Sequence, residues 1–536
     1  MTDSKRQDGN MPETTNYEKR KKIVKLLTAF YLIPLGIMVL FNAGNSLLRT
    51  TYFEPYRDME TAKYKWDNPL LTLIEAAVFL LIIGLILKKA GGLEIKKLQI
   101  ISSLIGGAIS LVIVLLVRGT AVCDGETVSE IAVQFMQNDY SAFQPGEYLF
   151  NYPFQIGLTA LYEIIYHIFG VRNYLVFQIL NVISITAILY ALNEITGIAF
   201  SEKTQRLEAF FALFMLPLLL ESTYVYGDII GLSLGIWAIK EVMQYLKTEK
   251  KRKLISTVIL FSVAITIKNN IMILLVACMI TLVLYSIMKK KRGILLFIIP
   301  LIIVPVLLSG TVKSIYRERA GLDQYPEGIP KIAWVAMSMQ ETDEGGYACG
   351  WYNAYNWGVY GRNNYDREAT QQECIENLKG SLSKLMHEQR YAMNFVYKKF
   401  TSQWNAPDFQ MLVNNEWSTR HSEHTTAVAL WFLLGSGREI LKNIMNVYHF
   451  LMFAGAGVYF SICLMKRRAW NLEQSYLILN IFGGFLFHMI WEAQSRYVLG
   501  YSVLLLPLSA AGITVILDSV KKRKEKRKEK LAQAAR

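Results

Sequence analysis

Carboxylates that could act as general bases occur in two short polar turns of this sequence. Asp124 lies in the turn 123–126, six residues after Arg118, and Glu221 and Asp228 bracket Ser-Thr-Tyr-Val-Tyr-Gly. A carboxylate at the mouth of an apolar bundle can have a raised pKa and accept a proton from a hydroxyl group. The alternatives are an ordinary solvated loop residue for Asp124 and, for the other pair, a polar turn that only ends two helices.

Two cations lie at the edges of apolar segments and suit an anion. Lys268 occurs in Ile-Thr-Ile-Lys-Asn-Asn, and Arg496 precedes Tyr497 in Trp-Glu-Ala-Gln-Ser-Arg-Tyr. An ammonium group at the outer edge of a membrane and a planar guanidinium both bind phosphate well. The alternatives are a Lys268 side chain that reaches the headgroups and a local pair of Arg496 with Glu492, four residues earlier.

These residues are set between segments long enough to cross a bilayer. Of the 536 residues, 53% are hydrophobic and 12% aromatic, and the mean hydropathy is +0.26. A span needs about 20 apolar residues. We predict about twelve spans, at 23–48, 69–88, 98–117, 173–193, 207–223, 228–246, 254–267, 270–287, 293–310, 444–465, 471–491 and 497–518. The sequence therefore predicts an all-α, polytopic integral membrane protein.

Basic clusters between the spans predict the orientation. The net charge of +14 comes from short runs in alternate loops, which is typical of membrane topology and does not indicate a nucleic-acid partner. With both termini in the cytoplasm, every cluster faces inward: Lys19–Lys22, Lys88, Lys89, Lys96, Lys97, Lys203, Arg206, Lys250–Lys253, Lys289–Arg292, Lys466–Arg468 and Lys521–Lys530. This assignment requires residues 153–169, which contain Glu163 and His167, to form an amphipathic helix in the outer interface.

The predicted organisation places one small domain outside the membrane. Residues 1–22 form a cytoplasmic tail, 23–310 a transmembrane core with an outer loop at 118–172, and 311–443 an extracytoplasmic domain. Residues 444–518 supply the last spans, and 519–536 a basic cytoplasmic tail. Cys349 and Cys374 both fall in 311–443 and could form a disulfide if that domain faces an oxidising space. The carboxylates and cations described above all lie on the outer side.

The sequence resembles the membrane glycosyltransferases of the GT-C fold, in particular the broad family of protein O-mannosyltransferases and the lipid A aminoarabinose transferase. The family pattern of an outer acidic residue, an interfacial helix ending in Phe-Gly and a following span is matched by Asp124, Asn151–Gln155 and Ile168–Gly170. A second outer acidic residue, a lysine and a Ser-Arg-Tyr motif are matched by Asp228, Lys268 and Ser495–Tyr497. The segment from Gly350 to Asn405 resembles family-39-like Gram-positive members.

The resemblance implies an enzyme that moves a sugar from a polyprenyl-phosphate donor to an extracytoplasmic glycan, glycolipid or protein. Asp124 would be the base, and Asp228 would orient the acceptor or position Asp124. Lys268 and Arg496, with Tyr497 and Glu221 beside them, would hold the lipid phosphate, and Tyr152 would stack on a sugar. The carboxylates could equally hold Mg²⁺ or Mn²⁺. The expected location is a Gram-positive plasma membrane.

Three other functions remain open at this point. A transporter or flippase would show repeats, broken helices and charges in mid-span. A polysaccharide polymerase or ligase would use a lipid diphosphate donor at the same outer loops. A non-catalytic scaffold would tolerate Asp124→Asn.

Overall fold

The computed structural model describes residues 11–56, 59–341, 348–465 and 471–534. Within these residues, nine helices are long and apolar enough to cross a bilayer. They cover Lys22–Leu48, Pro69–Gly92, Ile95–Val117, Tyr174–Ala199, Asp228–Thr248, Asn269–Lys289, Arg292–Arg319, Gly437–Met465 and Ser495–Gln533. The prediction of a helical, polytopic membrane protein is confirmed.

The first part of the chain contains thirteen helices and one hairpin within the described residues. They are α1 (Met11–Leu48), β1 (Arg49–Tyr56), β2 (Met59–Trp66), α2 (Pro69–Lys89), α3 (Ile95–Val117), α4 (Asp124–Met136), α5 (Tyr148–Asn151), α6 (Ile156–Phe169), α7 (Tyr174–Ala199), α8 (Glu202–Phe211), α9 (Leu216–Leu220), α10 (Asp228–Thr248), α11 (Arg252–Ile267), α12 (Met272–Lys289) and α13 (Ile298–Arg319). Local sequence sets these starts, as in α2, where the Asn68 side chain accepts from the Leu70 and Leu71 amides and Pro69 opens the first turn.

The second part begins with short helices in the region predicted as the outer domain. They are α14 (Ile332–Met337), α15 (Tyr355–Arg362), α16 (Arg367–His387), α17 (Gln389–Trp404), α18 (Met411–Arg420) and α19 (Ala427–Leu433). Three long helices follow: α20 (Gly437–Met465), α21 (Leu472–Ile490) and α22 (Ser495–Ala534). A small apolar core forms around Trp334, Met337, Val359 and Cys374. Because α13 continues to Arg319, residue 311 lies within a helix.

An antiparallel hairpin, β1 and β2, was not predicted. Arg49 pairs with Trp66 and Tyr56 with Met59. The hairpin packs on the outer helices: Phe53 lies 4.7 Å from the Trp351 ring, and the Thr51 amide donates to the Asn405 carbonyl over 3.1 Å. The link between the first two long helices therefore becomes part of the outer region.

The predicted span at 207–223 is wrong as a continuous helix. The chain forms α8, a 3₁₀ turn, α9 and a second 3₁₀ turn over this range. Pro217 lies in the first turn of α9, and a proline has no amide hydrogen for the helical ladder. The spans predicted at 254–267 and 471–491 do form helices, α11 and α21, although neither is among the nine.

Residues 153–169 form a helix whose buried face carries charge. In α6, Glu163 is buried and binds Arg319 of α13 through two contacts of 2.7 and 3.0 Å. Ile164, Ile168 and Phe169 stay exposed on the other side. The amphipathic helix is therefore present, and its position at the membrane interface remains a prediction.

Three further predictions concern individual residues or short segments. Cys349 and Cys374 are buried free thiols, so the suggested disulfide is not formed. The predicted tail at 519–536 continues α22 as an exposed helix to Ala534. The cluster Lys466–Arg468 and the side chains of Lys19–Lys21 lie outside the described residues.

Candidate active site

A large cavity lies where α10, α12 and α22 begin. Its volume is about 1710 Å³, and its walls come from β2, α4, α15, α18 and the turns before α12 and α22. Five of the seven predicted site residues line it: Asp124, Tyr152, Lys268, Arg496 and Tyr497. The two others, Glu221 and Asp228, lie behind this wall. Residues far apart in the sequence therefore meet at one cavity, as the membrane topology predicted.

Asp124 is the first residue of α4 and reaches the cavity without a bonded partner. Cys123 before it has φ 52°, a left-handed backbone that turns the chain sharply into the helix. Within the described residues, no donor binds the half-buried Asp124 carboxylate. The N-terminal end of a helix stabilises the negative charge. Asp124 is thus a carboxylate that faces the cavity and has no bonded donor within the described chain.

Asp228 holds the two predicted cations together. Its carboxylate lies 2.6 Å from Lys268 Nζ and 3.6 Å from Arg496 Nη1. Lys268 also lies over the Tyr226 ring at 4.2 Å, while Arg496 lies over Tyr224 at 4.9 Å and donates to its hydroxyl. The local pair of Arg496 with Glu492 that the sequence allowed is not formed. Two cations from α11–α12 and α22 therefore share one carboxylate at the cavity wall.

Glu221 leaves the charge of this cluster positive. It is 1% exposed, and neither carboxylate oxygen has a donor among the described residues. Burial, reinforced by the charge of Asp228, raises the pKa of Glu221 to about 8. Glu221 is therefore mainly protonated at neutral pH. One ionised carboxylate then faces two cations, which leaves about one positive charge to attract an anion.

Two further carboxylates in the cavity were not predicted as site residues. Glu60 of β2 accepts from Gln410 Nε2 over 2.6 Å, and the Gln410 Oε1 accepts the Arg496 amide over 3.0 Å. Burial raises the pKa of Glu60. Burial, followed by the nearby charge of Asp124, raises the pKa of Glu492 to about 7. The sequence held a signal for Glu492, its spacing to Arg496, but none for Glu60 because the hairpin was not recognised.

The carboxylates do not form a ready metal site. Across the described ranges, no group of three or more His, Cys, Asp and Glu residues lies close enough to hold a metal ion. Asp124, Glu60 and Glu492 all line the cavity, but they are not among any such group. Mg²⁺ and Mn²⁺ favour several oxygen ligands at once, so these residues as placed do not fit either ion. A divalent cation remains only a prediction from the sequence.

One wall of the cavity is apolar and belongs to the long helices. Met272, Ile273 and Val276 of α12 line it together with Phe487 of α21. Met272 is 51% exposed and Val276 43% exposed. An exposed apolar wall on a membrane helix suits a hydrocarbon chain. Because Lys268 lies in the turn just before α12, this wall begins beside the cation cluster.

The cavity and the basic clusters lie at opposite ends of the same helices. Asp228 begins α10, and Lys250–Lys253 follow its end. Lys268 precedes α12, which ends at Lys289. A helix of 21 residues such as α10 is about 30 Å long, the thickness of the hydrocarbon core. Which of these ends faces the cytoplasm stays a prediction from the basic clusters.

Comparison with known proteins gave distant similarity to solved structures. No protein-family model and no curated protein matches the chain. The structure is similar to the crystal structure of the Archaeoglobus fulgidus oligosaccharyltransferase, which holds a tethered acceptor peptide containing the NVT sequon. The TM-score is 0.41 and the sequence identity 12%. The match covers 78% of this chain, which spans 50% of the length of the archaeal chain.

Proposed function

We propose that the protein is a GT-C-type membrane glycosyltransferase that moves a sugar from a polyprenyl-phosphate donor to an extracytoplasmic acceptor. One juxtaposition carries the proposal: a positively charged cluster, Lys268 and Arg496 around Asp228, borders the same cavity as an apolar membrane wall and the unpaired Asp124. A lipid phosphate needs a cation and a hydrocarbon surface side by side. A transfer to a hydroxyl group also needs a base within the same cavity.

The chemical step follows from these positions. The acceptor oxygen forms a bond to the anomeric carbon, and the bond from that carbon to the phosphate oxygen breaks. Asp124 takes the proton of the acceptor hydroxyl. Lys268 and Arg496 stabilise the negative charge that grows on the leaving phosphate, which departs as the polyprenyl phosphate. Asp228 keeps both cations at one place, since its carboxylate binds each of them.

The location proposed for this reaction is the outer face of a plasma membrane with both termini in the cytoplasm. The supporting observation is the placement of the cavity and of Lys250–Lys253 at opposite ends of α10. Cytoplasmic loops of membrane proteins are rich in lysine and arginine. Donor and acceptor then meet outside the cell.

A second function, a polymerase or ligase that uses a lipid diphosphate, is supported by two more lysines. Lys313 and Lys331 line the same cavity, and no carboxylate among the described residues lies within ion-pair distance of either. Two phosphates carry more charge than one and call for additional cations. Turnover of donors that differ only in carrying one or two phosphates separates the two functions.

The proposal is tested in cells by mass spectrometry of lipid extracts and surface glycans. We compare wild type with Asp124→Asn at equal membrane abundance. Glu126→Gln is the matched control, because Glu126 is an exposed carboxylate two residues away that does not line the cavity. We expect Asp124→Asn alone to remove one surface sugar and to accumulate its polyprenyl-phosphate form. Unchanged profiles in both variants would refute Asp124 as the base.

A further inference from the structure

One part of the cavity wall presents amides and aromatic rings in place of charges. We define the amide–aromatic compartment as Asn151, Tyr152, Tyr352, Asn356 and Trp357, all of which line the cavity. It adjoins the carboxylates of the site. The pKa of the Tyr152 phenol is raised first by burial, next by the neighbouring Tyr352, and then by the negative charges of Asp124 and Glu492. Asp124 lines the same cavity as this compartment.

Two buried amides of the compartment have one unused polar atom each. Asn356 is fully buried, and its Oδ1 accepts the Trp357 amide over 2.9 Å, while its Nδ2 has no acceptor within the described chain. Asn151 is 2% exposed; its Nδ2 donates to the Gly146 carbonyl over 2.8 Å, and its Oδ1 has no donor there. Buried polar groups almost always have a partner. The wall thus lacks one acceptor and one donor, and a hydroxyl group is both.

Trp357 supplies a free ring beside these amides. Its side chain is 52% exposed, and in the described ranges no aromatic ring or cation packs on it. Two other indoles of the wall are already used, since Trp334 stacks on Trp491 at 5.8 Å and 9°, and Phe487 also stacks on Trp491. A pyranose ring offers C–H groups on its faces for an aromatic ring and hydroxyl groups at its edge for amides.

We propose that the amide–aromatic compartment is a carbohydrate subsite that binds the acceptor, so that the acceptor of this enzyme is a saccharide. The inference rests on the proposed function and names its acceptor class. In the proposed function the donor phosphate and its lipid lie at Lys268 and the α12 wall, which are other parts of the same cavity wall. A saccharide on Trp357 and Asn356 extends from the outer region toward Asp124, where its hydroxyl group loses a proton.

Binding is measured by saturation-transfer NMR on the full chain in lipid nanodiscs. The probes are maltotriose, chitotriose and mannotriose, with an uncharged peptide containing Ser and Thr as the competing acceptor class. We expect at least one trisaccharide to bind and the peptide not to bind. Trp357→Leu and Asn356→Leu should each weaken that binding about tenfold, since each removes one stacking or hydrogen-bonding contact.

Conservative and remote variants separate a binding role from a folding role. Trp357→Phe keeps an aromatic face and should retain most of the affinity. Trp66→Leu is the remote control, because Trp66 is 74% exposed on β2 and does not line the cavity. Thermal unfolding of every variant shows whether the fold is kept, and Asn356→Leu counts only if its unfolding midpoint matches that of wild type.

Three outcomes overturn the inference. They are binding of the peptide in place of every saccharide, saccharide binding that Trp357→Leu leaves unchanged, and no binding of any probe. Donor turnover is followed in parallel. If Asp124→Asn stops donor turnover while the subsite test fails, only the acceptor class is wrong. If Asp124→Asn leaves donor turnover unchanged, the proposed function itself fails.

Discussion

Replacing Lys268 by Met separates a phosphate-binding role from a structural one. Lys268 Nζ lies 2.6 Å from Asp228 Oδ1, and the two side chains are 13% and 20% exposed. The substitution removes the ammonium group and keeps most of the aliphatic volume. It therefore leaves Asp228 in a buried site with one cation instead of two.

The expected losses follow from this geometry. Breaking a buried ion pair by removing one partner costs about 3–5 kcal/mol of unfolding free energy. Arg496 stays 3.6 Å from the other oxygen of Asp228 and compensates part of the charge, so we expect the lower end, about 3 kcal/mol. Loss of one group that stabilises transition-state charge lowers kcat by about 10²–10³-fold.

The assay combines unfolding with donor turnover in detergent-solubilised protein. In the double variant Lys268→Met/Asp228→Asn the buried charge of Asp228 is removed together with its lysine partner, while Arg496 keeps its contact with Tyr224. We therefore expect part of the stability to return while turnover stays low. Asp228→Asn alone gives the baseline. Lys97→Met, an exposed lysine at the opposite membrane face, should change neither quantity. Turnover that recovers together with stability would show that Lys268 acts only as the partner of Asp228, and the phosphate argument would be refuted.

Three further predictions test the electrostatics and the packing. Burial and the charge of Asp124 raise the pKa of Glu492 to about 7 in the folded protein, above its ordinary value of about 4.5. The folded state therefore holds this proton more tightly than the unfolded state. As pH rises from about 4.5 to about 7, the unfolding free energy of wild type should fall by about 3 kcal/mol relative to that of Glu492→Gln. An equal pH dependence of both unfolding free energies would contradict this. Gly512→Ala places a Cβ against a backbone carbonyl of α20 and should lower the unfolding free energy by about 1–3 kcal/mol. The control Gly84→Ala places a Cβ in open space and should leave the protein equally or slightly more stable. Thermal unfolding measures both variants. Arg319→Met leaves the buried Glu163 carboxylate without its bidentate partner and should cost about 2 kcal/mol, less than a fully buried pair because Arg319 is 34% exposed; an unchanged unfolding midpoint would contradict it.

The sequence predicted the meeting of distant site residues because membrane topology is a strong constraint. Apolar length and basic loops placed Asp228, Lys268 and Arg496 at one membrane face, and the structure brings them within ion-pair distance. What topology could not supply was the choice of partner. Arg496 pairs with Asp228 of another helix, and the nearby Glu492 accepts from the Tyr497 hydroxyl instead, over 3.3 Å.

The misses have local causes. The range 207–223 is apolar enough for a span, and the prediction relied on that composition. Pro217 interrupts the helix, and this proline was visible in the sequence. The hairpin that carries Glu60 lies in a short polar link without a clear alternation, and its pairing depends on contacts with residues such as Trp351 and Asn405, over 280 residues away. The spacing of Cys349 and Cys374 gave no information on their distance in space.

The most direct test of the transferase mechanism is donor cleavage by the purified full chain. We would measure the release of polyprenyl phosphate from a polyprenyl-phosphate sugar, with an added saccharide to accept the sugar, for wild type, Asp124→Asn and the control Glu126→Gln. The mechanism predicts release that falls about 10²–10⁴-fold in Asp124→Asn alone, with donor affinity unchanged, because only the proton acceptor is lost. Release at the wild-type rate in Asp124→Asn would contradict it.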